Sequence, residues 1–215
     1  MRSEIETLKT WITESDNIVF FGGAGVSTES GIPDFRSTDG LYHQKFDYPP
    51  ETILSHTFFY QNPEYFFRFY REKMLYPNAR PNAAHLALAR LERQGHVQAV
   101  VTQNIDGLHT AAGSRNVLEL HGSVHRNRCM ECGRQYGLET VLAAQGVPRC
   151  ACGGVIKPEV VLYEEMLDEA VLQASVRAIA GADLLIVGGT SLNVYPAAGL
   201  LRYYAGRELV VVNKT

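Results

Sequence analysis

Long apolar runs, excess basic charge and cysteine are all scarce in this sequence. No apolar run approaches the ~18–20 residues of a membrane-spanning helix, so we expect no membrane partner. The formal net charge of −3 provides no basic field for nucleic acid or an anionic membrane. The N-terminal segment is acidic and polar and lacks the apolar core of a signal peptide, which predicts a cytoplasmic protein.

The glycine-rich stretch after the first apolar run lacks two features of a dehydrogenase. Residues 20–36 are FFGGAGVSTESGIPDFR, with Gly23 and Gly25 placed as in G-x-G-x-x-G but Thr28 in the third glycine position. No acidic residue ends a second strand about 20 residues later, where it would hold the adenosine ribose. The loop predicts a pyrophosphate site, with a helix beginning near Ser27 or Thr28, or else an ordinary tight turn. Hydride transfer is not supported.

Five short apolar runs predict the strands of a parallel sheet. They are rich in Val, Ile, Leu or Phe without polar alternation, as expected of strands covered on both faces. Helical periodicity over residues 83–95 and 167–182 separates several of them. The sequence therefore predicts an α/β fold, a Rossmann-like open parallel sheet with a small inserted zinc-binding and helical domain. The predicted strands are Ile18–Phe21, Val97–Val101, Val117–Leu120, Leu184–Val187 and Leu209–Val212.

Two segments do not fit the sheet and divide the chain. Residues 37–80 are aromatic and polar, and predict a loop followed by a helical module; residues 122–157 contain the cysteines and predict a second insertion. Residues 1–36, 81–121 and 158–215 are assigned to the Rossmann-like dinucleotide-binding domain. The last apolar run is followed at once by the end of the sequence, so we expect the natural chain to continue into another loop and helix.

The four cysteines form two close pairs. Cys129-x2-Cys132 is followed 17 residues later by Cys150-x-Cys152 and two glycines. Two such pairs suit a tetrahedral four-thiolate zinc site, which has no open position and is therefore structural. The one-residue spacing of the second pair is tighter than usual but feasible. The alternative is a set of unpaired thiols in a reducing compartment.

Polar residues also follow the second predicted strand, where open α/β sheets place ligand contacts. In TQNIDGLH, residues 102–109, Gln103, Asn104 and Asp106 offer groups suited to sugar hydroxyls and a carboxamide. Alternatively, Asn104 or Asp106 caps a helix.

One histidine stands out among the seven. His121 follows the third predicted strand and is a candidate general base, because imidazole titrates near neutral pH; a structural histidine is the alternative. The Gly189-Thr190-Ser191 turn and Asn213 follow the last two strands, where ordinary turns would also fit. We interpret His85 and His109 as capping or packing residues, and find no constellation for His43, His56, His96 and His125.

Together, these motifs resemble the sirtuin (Sir2) family of NAD-dependent protein deacylases, bacterial type. GAGVSTESGIPDFR, TQNIDGLH, LHG, the cysteine pairs, KPEVVLYEE and GTSLNVYP occur in the family's order between residues 22 and 213. The resemblance implies a protein lysine deacetylase or deacylase that transfers the acyl group from lysine to ADP-ribose and releases nicotinamide. It implies NAD as a co-substrate, one structural Zn²⁺, and an acyl-lysine protein or peptide as the partner.

The resemblance also implies roles for individual residues. His121 would be the catalytic base that removes a ribose hydroxyl proton, and Asn104 would order the ribose and a water. Asp106 and Ile105 would hold the nicotinamide carboxamide. The full NAD-binding set it implies is Gly23, Ala24, Gly25, Thr28, Asp34, Phe35, Arg36, Gln103, Asn104, Ile105, Asp106, His121, Gly189, Thr190, Ser191, Asn213 and Lys214. The substrate peptide would add as a β-strand to Val160, Val161, Leu162, Tyr163 and Glu164.

Two departures from the family pattern concern the substrate. Many members have Phe-Gly-Glu where this chain has Tyr163-Glu164-Glu165, and the added carboxylate predicts a preference for Lys or Arg beside the acyl-lysine. Members that remove succinyl or malonyl groups carry Tyr and Arg three residues apart. Here Tyr42 is followed by Lys45, which lacks bidentate geometry, so we expect an apolar acyl group, acetyl or somewhat longer.

Two other functions are alternatives. Protein mono-ADP-ribosyl transfer shares the nicotinamide-cleaving step but does not need the His121 base. A zinc-ribbon nucleic-acid-binding protein would use the four arginines near the cysteines, Arg126, Arg128, Arg134 and Arg149, to contact phosphates. The net charge of −3 argues against nucleic acid. Because no heptad or large apolar patch is evident, we expect a monomer.

Overall fold

The strands form two sheets in the computed structural model, which describes residues 3–34 and 45–214. The strands are β1 Ile18–Gly22, β2 Val97–Thr102, β3 Val117–Glu119, β4 Gly122–Cys129, β5 Gln135–Tyr136, β6 Ile156–Val160, β7 Leu184–Gly188 and β8 Glu208–Val212. Five of them pair in parallel in the order β3-β2-β1-β7-β8, and three pair antiparallel in the order β5-β4-β6. All five predicted strands are confirmed to within one residue at either end.

The parallel sheet is buried on both faces, as its lack of polar alternation predicted. Strand β1 places Val19 and Phe21 in one apolar cluster, and Ile18 and Phe20 in another on the opposite face. This alternation is the period of two of any strand, but here both sets are covered. The sheet therefore forms a rigid platform for the loops at its carboxyl end.

The helices cover the sheet and build a separate module. They are α1 Glu4–Glu14, α2 Pro50–Ile53, α3 His56–Gln61, α4 Pro63–Lys73, α5 Ala83–Arg93, α6 Leu108–Ala111, α7 Leu138–Ala143 and α8 Glu169–Ala180. Both predicted long helices are present but shorter than predicted. Helix α8 begins at Glu169 because the Asp168 side chain caps it by accepting a hydrogen bond from the Val171 N–H. Residues Ala24–Ser30 and Ala197–Tyr203 form 3₁₀ helices.

The predicted start of the helix after the glycine loop, near Ser27 or Thr28, is wrong. A 3₁₀ helix begins at Ala24 and ends before Gly31, which has φ +82°. The Thr28 hydroxyl donates to the Gly25 carbonyl at 3.0 Å and so tightens the turn. The glycine loop and the helix are therefore a single compact turn rather than a loop followed by an α-helix.

The predicted helical module is an aromatic cluster that also covers the small sheet. Helices α3 and α4 bury Phe59 and Phe66, whose rings meet edge to face with centroids 4.9 Å apart. The same cluster includes Val124 of β4 and Val160 of β6. The helical segment and the cysteine-containing segment, which both interrupt the large sheet in sequence, thus share one hydrophobic core.

The small sheet holds the cysteine-containing segment. Strands β4 and β6 pair Cys129 with Ile156 at one end and Gly122 with Val160 at the other. Strand β6 crosses the boundary predicted between residues 157 and 158, and the domain division itself stays a prediction. The first residue after β6, Val161, donates its N–H to the carbonyl of His121, which follows β3.

Candidate active site

The strand-end motifs of the large sheet meet at its carboxyl edge. The Gly25 N–H donates to the Gly189 carbonyl at 2.8 Å, which joins the loop after β1 to the loop after β7. The Gln103 side-chain amide, after β2, donates to the Thr190 hydroxyl at 3.0 Å. The Asn213 amide, after β8, donates to the Thr190 carbonyl at 3.1 Å. Polar residues that are far apart in sequence therefore form one continuous rim.

The loop after β1 and the loop after β7 pack so closely that glycine is required in both. A Cβ at Gly25 would lie 2.8 Å from the Gly189 Cα, and Gly189 itself has φ +57°. Close packing of one loop on the other, and not only approach to a ligand, therefore requires glycine at these positions. This reason is invisible in sequence because it depends on a contact between positions more than 160 residues apart.

Ser27 organises the polar residues after β2. Its hydroxyl donates to the Asp106 carboxylate at 2.6 Å and accepts from the Asn104 amide at 3.1 Å. Ser27 is 1% exposed and Asn104 is 8% exposed, so these bonds are shielded from water. The same Asp106 carboxylate accepts from the Leu108 N–H at 2.9 Å, although the N-cap position of α6 is Gly107. The ligand role of Asp106 stays a prediction. Sequence analysis missed Ser27, although it lies inside the glycine motif.

His121 lies next to this cluster with one ring nitrogen already bonded. Its Nδ1 is 2.9 Å from the Gln103 carbonyl oxygen, which can only accept, so Nδ1 carries the proton. The Nε2 of the neutral ring is then left with its lone pair. Burial lowers the pKa of His121, and the bond to Gln103 partly opposes that shift. The ring is therefore neutral at pH 7, as a general base must be.

His125 does have a constellation, contrary to the sequence prediction. Its Nε2 lies 3.1 Å from the Asp106 carbonyl oxygen, and its ring packs where a Cβ on Gly107 would stand, 2.6 Å from Cδ2. The adjacent Val124 N–H donates to the Ile105 carbonyl at 3.0 Å. Strand β4 thus holds the loop that contains Asp106 in place through hydrogen bonds from two adjacent residues. No local signal marks His125, because its partner is 19 residues away.

The other predicted NAD-binding residues differ in their exposure to solvent. Thr28, Ser191, Asn213 and Lys214 are exposed, whereas Ala24 and Asp34 are half-buried. Phe35, Arg36 and Tyr42 lie outside the described residues. The contacts of all these residues with NAD stay predictions.

His85 and His109 are packing residues, as predicted, and lie beneath the rim. Their rings are 4.6 Å apart between centroids, and both are almost fully buried. The His85 Nδ1 accepts from the Asn82 N–H at 3.2 Å in a capping box. Burial, reinforced by the neighbouring His85, lowers the pKa of His109 to about 3. Both rings are therefore neutral in the folded protein at pH 7.

The four cysteines converge as the zinc prediction requires. All four Sγ atoms lie within 4.8 Å of one another, with Cys129–Cys152 and Cys132–Cys150 at 3.5 and 3.6 Å. Tetrahedral Zn–S bonds of about 2.3 Å place sulfurs about 3.8 Å apart, so this set fits Zn²⁺ and leaves no open position. The Tyr136 hydroxyl also donates to the Cys150 Sγ at 2.9 Å. The site fits one structural zinc ion.

Comparison with known proteins assigns the family. The sequence model of the Sir2 family matches residues 23–196. The chain belongs to the Sir2 family. This Sir2-family chain is 61% identical over 216 residues to the NAD-dependent protein deacetylase of Clostridium acetobutylicum, covering 99% of this chain and 88% of the relative. It is also 61% identical to that of Cutibacterium acnes, covering 97% and 86%.

Solved Sir2 structures share the fold. A Sir2 structure bound to acetylated peptide has a TM-score of 0.84 at 39% identity, covering 98% of this chain and 86% of that one. A Sir2 complex with a p53 peptide and NAD⁺ has a TM-score of 0.83 at 42% identity, covering 99% and 87%. These similarities cover both sheets, so the whole described fold is of the Sir2 type.

The predicted substrate strand of this Sir2-family chain is anchored to the His121 backbone. The Val161 N–H donates to the His121 carbonyl at 2.9 Å. Two residues later, the Tyr163 N–H donates to the Leu54 carbonyl at 3.0 Å, and the Tyr163 carbonyl accepts from the His56 N–H at 2.9 Å. The segment therefore runs between the catalytic candidate and the helical module. Its role in peptide binding stays a prediction.

A charged cluster that sequence analysis missed holds the end of this segment. The Glu165 carboxylate accepts from the Leu162 N–H at 2.9 Å and from the Lys157 ammonium at 3.1 Å, and lies 3.0 Å from the His56 Nδ1. These partners lower the pKa of Glu165 against the opposing effect of its burial, so it is ionised at pH 7. His56 therefore has a partner after all, which the sequence prediction did not provide.

Glu164 has an unusual backbone conformation in the same turn. Its φ of +74° lies in the left-handed region, where glycine is favoured and other residues are strained. Its carboxylate accepts from the Thr57 N–H at 2.8 Å, at the start of α3. This contact offsets part of the strain and fixes the side chain. The position at which many family members have glycine therefore still has the backbone shape that suits glycine.

Proposed function

We propose that this chain is an NAD-dependent protein lysine deacetylase. It transfers the acetyl group of an acetyl-lysine to ADP-ribose and releases nicotinamide. Relatives named NAD-dependent protein deacetylase, at 61% identity, support this function. The single structural observation that carries it is the neutral, half-buried His121, beside the cluster formed by Ser27, Asn104 and Asp106.

The carboxyl edge of the large sheet is the proposed NAD site. NAD is a co-substrate here, and its glycosidic bond to nicotinamide is the bond that breaks. Asp106 and Ile105 would hold the carboxamide, with Ser27 fixing the Asp106 carboxylate from behind at 2.6 Å. Asn104 would order the ribose and a water, since its amide is held by the Ser27 hydroxyl. The glycine loop and the Gly189–Ser191 turn would contact the phosphates and the second ribose.

His121 is the proposed general base. With its Nδ1 proton donated to the Gln103 carbonyl, its Nε2 can accept a proton from a ribose hydroxyl. That hydroxyl can then attack the acyl carbon, whose oxygen has bonded to the ribose carbon as nicotinamide left. The lysine nitrogen departs as the free amine, and one water is consumed to release the acyl-ADP-ribose. The hydrogen bond at Nδ1 fixes the ring plane, so the base points in one direction.

Zinc has a structural role in this proposal. The thiolates of Cys129, Cys132, Cys150 and Cys152 would hold it, and the closed tetrahedral set leaves no place for a reacting water. Cys129 pairs with Ile156 across β4 and β6, so the metal site supports the sheet from which the substrate strand leaves. Loss of zinc would therefore loosen the substrate strand without removing any reacting group.

The finer features of the function rest on the same residues. The substrate peptide would add as a strand to residues 160–164, whose backbone is tied to His121 and to α3. We expect apolar acyl groups, and a Sir2 structure bound to a propionylated peptide supports this range. We further propose a monomer in the cytoplasm, where a reducing environment would keep the four cysteines out of disulfides and available to zinc. Among the described residues, no helix is long and apolar enough to cross a membrane.

Product analysis tests the function. Purified protein is incubated with NAD and an acetyl-lysine peptide, and the products are identified by mass spectrometry. We expect deacetylated peptide, nicotinamide and acetyl-ADP-ribose in equal amounts. The control His96→Ala should leave this yield unchanged, since the half-buried His96 precedes β2, at the opposite end of that strand from Gln103, and its ring contacts the Ser15 carbonyl at 3.3 Å. A mass gain of ADP-ribose on a protein target, without deacetylated peptide, would instead establish ADP-ribosyl transfer.

A further inference from the structure

A surface pocket of about 350 Å³ lies beside the proposed substrate strand. Tyr163 and Glu164 of that segment form one wall, and Glu51 with residues of α3 forms the other. The Tyr163–Ser55 bridge joins the two walls. A side chain that projects from a peptide added to residues 160–164 would therefore be within reach of this pocket.

The pocket has the chemical character of a site for a long basic side chain. Its two ionisable lining residues other than Tyr163 are the carboxylates of Glu51 and Glu164. Phe58 and the half-exposed Tyr163 provide aromatic surface for an aliphatic stem, and Gln61 adds an amide. Lysine and arginine bury their stems on such surface and keep the charged head near solvent and carboxylates.

The Glu164 carboxylate is fixed at the pocket wall. The Thr57 hydrogen bonds lower the pKa of Glu164, so this group remains ionised and is held in place at the pocket wall. On the neighbouring elements, the Lys157 ammonium and the His56 ring contact the Glu165 carboxylate, at 3.1 and 3.0 Å. Among its described lining residues, the pocket has two acidic side chains and no basic one.

We propose that this pocket binds the side chain of a lysine or arginine that flanks the acyl-lysine, and that Glu51 and Glu164 determine this specificity. The inference rests on the proposed function, because it needs a peptide on residues 160–164. It extends the sequence prediction for Glu164 by adding a second carboxylate, Glu51, and a defined cavity. Sequence analysis had no reason to select Glu51, which precedes Glu164 by more than 100 residues.

The expected effect is modest because the pocket is open to solvent. Exposed ion pairs contribute little each, so two carboxylates correspond to about three- to tenfold in kcat/KM between a basic and an acidic flanking residue. Salt screens such pairs, and the preference should fall toward unity between 0.05 and 1 M NaCl, over which the Debye length shrinks from over 10 Å to about 3 Å.

The test is a flanking-residue scan. Acetyl-lysine peptides that carry Lys, Ala or Glu at each position near the acetyl-lysine are compared by kcat/KM at saturating NAD. The same set is run with Glu51→Gln, Glu164→Gln and the double variant, since glutamine keeps the acceptor for Thr57 while removing the charge. Glu14→Gln, on the exposed face of α1, is the matched control for loss of one negative charge.

We expect one flanking position at which Lys exceeds Glu by about three- to tenfold, and the double variant should bring that ratio near one. Glu14→Gln should retain the full ratio. A wild-type ratio near one at every position, or a ratio unchanged in the double variant, would overturn the pocket assignment while leaving deacetylation established. Absence of turnover with every peptide would instead count against the proposed function itself.

Discussion

The hydroxyl of Ser27 provides a sharp perturbation of the candidate site. Ser27→Ala removes one oxygen that donates to Asp106 at 2.6 Å and accepts from Asn104 at 3.1 Å. Both partners belong to the proposed nicotinamide and ribose contacts, so the substitution leaves all of the proposed ligand-contacting groups in place and changes only their support. Its effect should therefore appear in NAD kinetics.

The size of the effect follows from the charge and burial of the partners. A hydrogen bond to a charged group contributes about 1.5–3 kcal/mol, which corresponds to roughly 10- to 150-fold in kcat/KM for NAD. The Ser27 hydroxyl is almost fully buried, so water cannot easily replace it. Asp106→Asn should cost less in the Ser27→Ala background than in the wild type, because the two residues act together.

Steady-state kinetics with varied NAD and saturating acetyl-lysine peptide measures this effect. Ser175→Ala is the matched control: Ser175 is also fully buried and bonded, to the Val171 carbonyl at 2.8 Å, but lies within α8. Both variants should lose some thermal stability, whereas only Ser27→Ala should lose kcat/KM. A Ser27→Ala value within twofold of the wild type, or an equal loss in Ser175→Ala, would refute the reasoning.

Three other predictions follow from the structure. Tyr136→Phe removes the hydrogen bond to the Cys150 Sγ and should weaken zinc retention by about 10- to 100-fold, measured by competition with a chromogenic chelator; unchanged retention would contradict this role. Gly107→Ala places a methyl group 2.6 Å from the His125 ring, at a residue whose φ is +73°. It should lower the unfolding free energy by more than about 1 kcal/mol, and by less in a His125→Ala background, where the ring is absent. Equal losses in both backgrounds would exclude the clash. The pKa of His109 is about 3 in the folded protein against 6.5 in the unfolded chain, so acidification below pH 6.5 protonates the unfolded chain first. The free energy of unfolding should therefore fall by about 3 kcal/mol between pH 6.5 and pH 4. Urea unfolding should show a smaller pH dependence in His109→Phe, and an identical dependence would contradict this account.

Local patterns predicted the elements that depend on local physics. The buried strands were predictable because both faces of a covered parallel strand must be apolar. The zinc site was predictable because Cys129 and Cys132, and then Cys150 and Cys152, are close enough in sequence to share an ion. His121 was selected because it directly follows a strand, at the edge where ligands bind in such sheets.

The residues that sequence analysis missed depend on contacts between distant segments. Ser27 meets Asp106 across 79 positions, and His56 meets Glu165 across 109. The same cause explains the helix that begins early at Ala24, since packing of the glycine loop on Gly189 determines its start. Neither the hydrophobic periodicity of the sequence nor the spacing of its motifs predicts such contacts, and only the three-dimensional structure shows them.

Separation of the two chemical steps tests the central claim most directly. Nicotinamide exchange reports cleavage of NAD in the presence of acetyl-lysine peptide, and acetyl-ADP-ribose formation reports the later step that needs the His121 base. In His121→Ala, we predict that acetyl-ADP-ribose formation falls by about 100-fold or more while nicotinamide exchange persists. Formation of acetyl-ADP-ribose at the wild-type rate in this variant would contradict the assignment of His121 as the base.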